Sequence, residues 1–156
     1  MERVLNTPGL SLYSLPAAWL SLFLPFNHRF RLLQSRSGYN NVTPRTNEAR
    51  LHGDPTLPKD FIDTCAKLDG AHKNGLETFP VWAAAVLAAN FAGVDAWTLN
   101  TASIAFVASR FVYNYIYVSA KTNAQGFTRT GAWATSIGIC MYLFVKAGNA
   151  VRARAF

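Results

Sequence analysis

The chain has 156 residues, room for one domain with a sizeable core; 51% of them are hydrophobic and 15% are charged. A formal charge of +7 would suit an acidic polymer, but the basic residues are not interleaved with aromatic ones in a groove-like pattern, so no nucleic acid is expected among the partners. Cys65 and Cys140 lie far apart and His28, His52 and His72 have no ligand spacing, which argues against a disulfide framework and a metal centre.

Across residues 78–150 the charges are confined to Asp95, Arg110, Lys121, Arg129 and Lys146. No run there offers the continuous polar face that a water-exposed helix needs, so lipid is the expected solvent. The mean hydropathy of +0.11 averages this material with a hydrophilic segment at residues 27–73 and understates it.

The first apolar stretch, GLSLYSLPAAWLSLFLPFN, carries no charge but contains Pro16 and Pro25. Arg3 could serve a signal peptide, yet the apolar part approaches the roughly 20 residues a bilayer requires and no small-x-small cleavage site follows it. A retained span over about 9–30 is the reading adopted. Residues 31–59 are rich in Gly, Asn, Pro and Thr and read as a loop, which includes the glycosylation acceptor NVT at 41–43. A second helix is expected over 60–92, kinked at Pro80, wet in its charged first turns and within the membrane at 78–94. Small residues at 83–85, 88 and 89 would let neighbouring helices approach closely. The third and fourth spans are expected at 96–120 and 130–150, the latter opening at RTGAW. The basic residues follow this topology, eight of them falling in or beside the first loop and Lys121 and Arg129 in the third connection. Both segments are therefore expected on the cytosolic side, with the termini opposite.

Two helical faces carry the chemistry. Lys73, Asn74 and Glu77 in AHKNGLETFP fall within one turn of each other. Arg110, Tyr113 and Tyr117 recur at i, i+3 and i+7 on the third helix, beside Asn114. An Arg in a span costs about 2.5 to 3.5 kcal/mol on insertion scales, so Arg110 should point inward and find a partner, for which Glu77 is the obvious candidate. The bland alternatives are an ion pair that sets helix register, a tyrosine belt at the interface, and a positively charged anchor at Arg129. His72 points away from the Asn74 face and reads as a polar residue where the helix meets the membrane.

AHKNGLETFP, preceded by YNNVTPR and followed by RFVYNYIY and RTGAW, resembles the MAPEG family, the membrane-associated proteins of eicosanoid and glutathione metabolism, in a divergent, microsomal glutathione transferase-like form. The resemblance extends over about residues 10–150. It implies an all-α fold, an integral-membrane bundle of four transmembrane helices that assembles as a homotrimer, with glutathione held between subunits near the cytosolic face. Residue by residue, it implies that Lys73, Asn74, Glu77, Arg110 and Tyr113 bind glutathione, and that Arg129, with a hydroxyl from Thr130 or Tyr117, stabilises the thiolate. Gly70 and Lys73 stand where relatives often carry Arg. The physical reading agrees with this set, because a small anion with two carboxylates, an ammonium and a thiol needs several cations, a carboxylate and hydroxyl donors.

The function so implied is a glutathione-dependent transferase, peroxidase or isomerase acting on a lipophilic electrophile that enters from membrane lipid, in the endoplasmic reticulum or another endomembrane. The alternatives are a glutathione-independent enzyme of specialised-metabolite biosynthesis on the same scaffold and a non-catalytic lipid-binding accessory protein.

Overall fold

Proline, glycine and aspartate punctuate the helices in the computed structural model, which describes residues 2–154. The order is α1 (Glu2–Leu5), a 3₁₀ turn (Leu10–Tyr13), α2 (Ser14–Arg36), a 3₁₀ turn (Pro44–Thr46), α3 (Asn47–Gly53), α4 (Lys59–Phe91), α5 (Ala96–Ser119) and α6 (Asn123–Arg154). The fold is all-α, with no strand among the described residues. Helix α4 starts after Pro58, whose extended backbone cannot continue a helix backwards. It stops where Gly93 takes φ 67°, so that the Val94 N–H reaches the Ala89 carbonyl at 3.0 Å and the Gly93 N–H reaches that of Asn90 at 3.0 Å. These two bonds satisfy carbonyls left over at the helix end, in a conformation that a residue with a Cβ resists. Two residues later, the Asp95 carboxylate accepts from the Thr98 N–H at 2.8 Å and starts α5.

The segment expected as a loop at 31–59 differs. Helix α2 runs on to Arg36, and α3 folds back so that Leu33, Leu51 and Cys65 form a second small core with Tyr39, Phe61 and Ile62. Asn47 pins the turn: its Oδ1 accepts from the Asn40 N–H, and its Nδ2 donates to the Asn40 and Pro44 carbonyls. A few apolar residues spaced among turn formers were enough to anchor this otherwise largely exposed region. Likewise α6 begins at Asn123, before RTGAW, since Gln125 Oε1 accepts from the N–H groups of Lys121 and Thr122 and caps an earlier start.

Helices α2 and α6 each pack on both α4 and α5. The main core runs from Ala18 through Trp82, Ala85, Val86 and Ala89 to Phe106, Cys140, Leu143 and Ala147. Trp82 and Phe106 stack with centroids 4.1 Å apart and planes 7° apart, and the Trp82 indole N–H donates to Ser14 Oγ at 3.2 Å. Gly75 lets α2 lie directly on α4, since a Cβ there would come within 2.5 Å of Leu22 Cβ. Hydroxyls tie helix to helix, Ser109 to Ser136 at 2.9 Å for example.

By length and apolar composition alone, α6 is the one helix among the described residues sufficient to cross a membrane, where four were expected. The other long helices carry polar groups that lower their hydropathy: Arg29 packed within α2, the charged and largely exposed first half of α4, and Asn100, Arg110 and Asn114 packed within α5.

Pro25 shows how such polar groups are used. It removes the N–H that would bond the Ser21 carbonyl, and the Asn114 side-chain amide donates to that carbonyl instead, at 3.0 Å. One residue along, a ring nitrogen of His72 lies 2.8 Å from the Leu22 carbonyl.

Candidate functional site

Arg110 occupies the centre of the α4–α5 contact and is 4% exposed. Its Nη2 donates to Asn74 Oδ1 at 2.8 Å, and its guanidinium carbon lies 4.3 Å from the Tyr113 ring centroid. Its Nη1 is buried and has no hydrogen-bond partner among the described residues. The expected pair with Glu77 does not form: Glu77 is exposed and makes no ion pair among the described residues. Asn74, a turn earlier on α4, is the residue that faces Arg110, while Glu77 sits further round the helix and keeps its carboxylate wet. An amide supplies a hydrogen bond but no countercharge, so a buried guanidinium keeps one donor and its full charge available for an anion.

From Arg110 the chemistry continues along α5. Tyr113 and Tyr117 meet edge to face with centroids 5.6 Å apart, and the Arg129 guanidinium lies 4.6 Å from the Tyr117 centroid. Asn74, Arg110, Tyr113, Tyr117 and Arg129 therefore form one continuous line from α4 across α5 to α6. Arg129 is half-buried and lies in the second turn of α6 rather than at its start. Gly70 gives Tyr117 its place: a Cβ at residue 70 would run into the Tyr117 hydroxyl, so the phenol rests on bare α4 backbone.

Besides Glu77, two residues expected at the site stand apart from that line. Lys73 turns the other way, with Nζ 2.5 Å from Asp69 and 3.8 Å from Glu48. Hydrogen bonding and attraction from Asp69 hold its ammonium pKa above the ordinary range, with Glu48 adding to the effect. Arg29 joins the same cluster, 3.5 Å from Asp69 and 3.7 Å from Glu48, so two cations share two carboxylates where α2, α3 and α4 meet. Adjacent helical residues diverge by about 100°, which is why Lys73 and Asn74 separate. Thr130 is exposed, and its hydroxyl donates to the Gly126 carbonyl at 3.4 Å in an ordinary intrahelical bond. His72, on α4, turns toward α2 and packs against Phe23 and Phe26.

Sequence reasoning missed the Arg29–Asp69 pair and the Gly70–Tyr117 contact. No spacing rule announces either, because each joins residues on different helices. The Asn114 bond had a signal: a proline inside an apolar helix always frees the carbonyl four residues earlier.

The arrangement suits binding of a small anion, with a buried cation at one end of an aromatic line and a half-buried one at the other. Among known proteins, neither the curated sequences nor the solved structures returned a significant match. The sequence model of one family does match, that of the MAPEG family, over residues 10–149. Since the match takes in nearly the whole chain, including every residue of the line just described, the protein belongs to the MAPEG family, a membrane-associated family that includes glutathione transferases and related enzymes.

Proposed function

We propose that the protein is a multi-pass membrane enzyme that uses glutathione on a lipophilic electrophile, by conjugation, peroxide reduction or isomerisation. The observation that carries this reading is the buried Arg110, whose Nη1 has no partner and whose guanidinium makes no ion pair with a carboxylate among the described residues. A cation in that state would be stabilised by an anionic ligand such as a glutathione carboxylate. Asn74 and Tyr113 would steady the same end of the tripeptide, and Glu77, wet and unpaired, would accept its ammonium. When bound, glutathione would supply a thiol as nucleophile or reductant. Arg129 would favour the anionic form of that sulfur, about 1.4 kcal/mol for each unit of lowered pKa. Tyr117, or Thr130 after a rotamer change, would donate a hydroxyl proton toward it.

The residues 31–59 and the start of α6 would face the cytosol of the endoplasmic reticulum or a related membrane, and three copies would assemble around the site. A second reading is favoured by one feature. Lys73 is held by Asp69 and Glu48, and Gly70 offers no charge, leaving Arg110 and Arg129 as the two cations of the line. Two cations against two carboxylates and a thiolate would also suit a glutathione-independent enzyme acting on a singly charged lipophile.

Titration of the purified protein with glutathione, followed by calorimetry and ultraviolet thiolate absorbance, separates these readings. Saturable binding is expected, with the thiolate signal abolished by Arg129→Ala and the affinity reduced about tenfold or more by Arg110→Ala. Absence of binding, with turnover of a lipophilic acid retained, would establish the second reading. Undiminished thiol-dependent turnover in Arg129→Ala would remove the role assigned to that residue.

A further inference from the structure

Lys67 stands on α4 two turns before Asn74 and on the same face, with Gly70 between them. Its Nζ crosses to α5 and donates to the Ala120 carbonyl at 2.6 Å, which caps the end of that helix. That bond uses one of the three ammonium protons, and the other two have no partner among the described residues. The side chain is half-buried and makes no ion pair there; Asp63, a turn earlier on α4, is exposed and unpaired. Lys73 is the contrast: it is more exposed, yet Asp69 and Glu48 neutralise it, whereas Lys67 keeps its full charge.

The register of α4 against α5 puts Lys67 at the open end of the aromatic line. The Tyr117 hydroxyl rests on the Gly70 backbone, about one turn of α4 from Lys67 and one turn from Asn74. Arg110 bonds Asn74 and Ala120 bonds Lys67, so α5 runs antiparallel beside this face with Tyr117 midway. Two turns of helix separate Lys67 from Asn74 by about 10.5 Å along the axis. Three extended residues span about the same, roughly 10–11 Å. A tripeptide with one end at Arg110 and the other at Lys67 therefore has its middle residue opposite Tyr117, where the Arg129 guanidinium also lies.

The two ends differ in the way glutathione does. Its γ-glutamyl end carries a carboxylate and an ammonium together, matching Arg110 with Glu77 one turn beyond Asn74. Its glycine end carries a carboxylate alone, matching a cation with no acid beside it. A flexible, well-hydrated ammonium suits one carboxylate at a half-exposed position, where no bidentate fork is required. We infer that Lys67 binds the glycine carboxylate of glutathione, which fixes the direction of the tripeptide and brings its thiol to Tyr117 and Arg129. This placement rests on the glutathione reading proposed above and gives that site a third cation.

The test is calorimetry on the full chain in phosphatidylcholine nanodiscs, with glutathione and with its glycine monoethyl ester, which differs only in having that carboxylate esterified. Wild type is expected to bind glutathione about three- to tenfold more tightly than the ester. Lys67→Met keeps the length of the side chain but removes the ammonium, so it should erase the preference by weakening glutathione alone. Lys67→Arg should restore it. A residue that only caps α5 would, when replaced, lower both affinities and the melting temperature together, and that result would overturn the assignment. So would equal binding of the two compounds by wild type, or a preference for glutathione that survives in Lys67→Met; in either case the glutathione reading stands. Failure of wild type to bind either compound would overturn that reading and this assignment together.

Discussion

Arg110 and Arg129 carry the same charge in unlike surroundings, and the difference is consistent with the separate roles proposed for them. Arg110 is buried and donates one hydrogen bond to an amide oxygen, which suits holding an anion in place. Arg129 is half-buried against an aromatic face, where a developing negative charge can approach it from outside the fold. Tyr117 couples the two, and its position depends on the missing side chain at Gly70. Gly70→Ala is therefore expected to push the phenol away from α4. Because the group displaced is the free end of a flexible side chain, the stability change should stay within about 1 kcal/mol. Any thiolate signal should nevertheless fall severalfold, which absorbance titration beside a thermal melt would measure.

At the scale of the helices, two interruptions are repaired by neighbours, and each repair can be tested. Pro25 leaves the Ser21 carbonyl to Asn114 of α5. Asn114→Leu should cost about 1–3 kcal/mol, the penalty for a buried acceptor left alone. Adding Pro25→Ala should recover part of that loss, because alanine restores the intrahelical N–H; a double-mutant cycle in denaturant gives the coupling directly. The turn between α4 and α5 depends on Asp95. Hydrogen bonding from Thr98 and the nearby Lys146 charge lower its carboxyl pKa below the usual 3.8 despite some desolvation. Because the folded value is the depressed one, the contribution of this cap is complete above pH 3.8 and fades as pH falls through the folded value. Asp95→Ala should cost about 1 kcal/mol at neutral pH. The gap to wild type should close in melts run at progressively more acid pH.

For the molecule as a whole, the proposed orientation in the membrane makes a direct prediction. Asn41 is exposed, and Thr43 of its NVT site is bonded to Asn40 in a tight turn. With residues 31–59 on the cytosolic side, microsomal translation should leave Asn41 unglycosylated, while an acceptor site inserted beside Gly93 should be modified; endoglycosidase-sensitive gel shifts would read both. The reverse pattern would invert the proposed topology and put the aromatic line on the lumenal side.

Much of this protein was legible from residue order. The density of helix-forming apolar runs dictated an all-α chain, and the string from AHKNGLETFP to RTGAW carried the family, because spacing along a helix determines which residues share a face. What spacing does not determine is which of two adjacent faces meets which neighbouring helix. Arg110 found Asn74 rather than Glu77, and Lys73 joined Arg29 and Asp69 rather than the site. Both outcomes rest on how α2 and α5 are set against α4, a distance and rotation governed by Gly75, Pro25 and the stacked Trp82 and Phe106. Those contacts join residues far apart in the chain, so they exist only once the helices have packed.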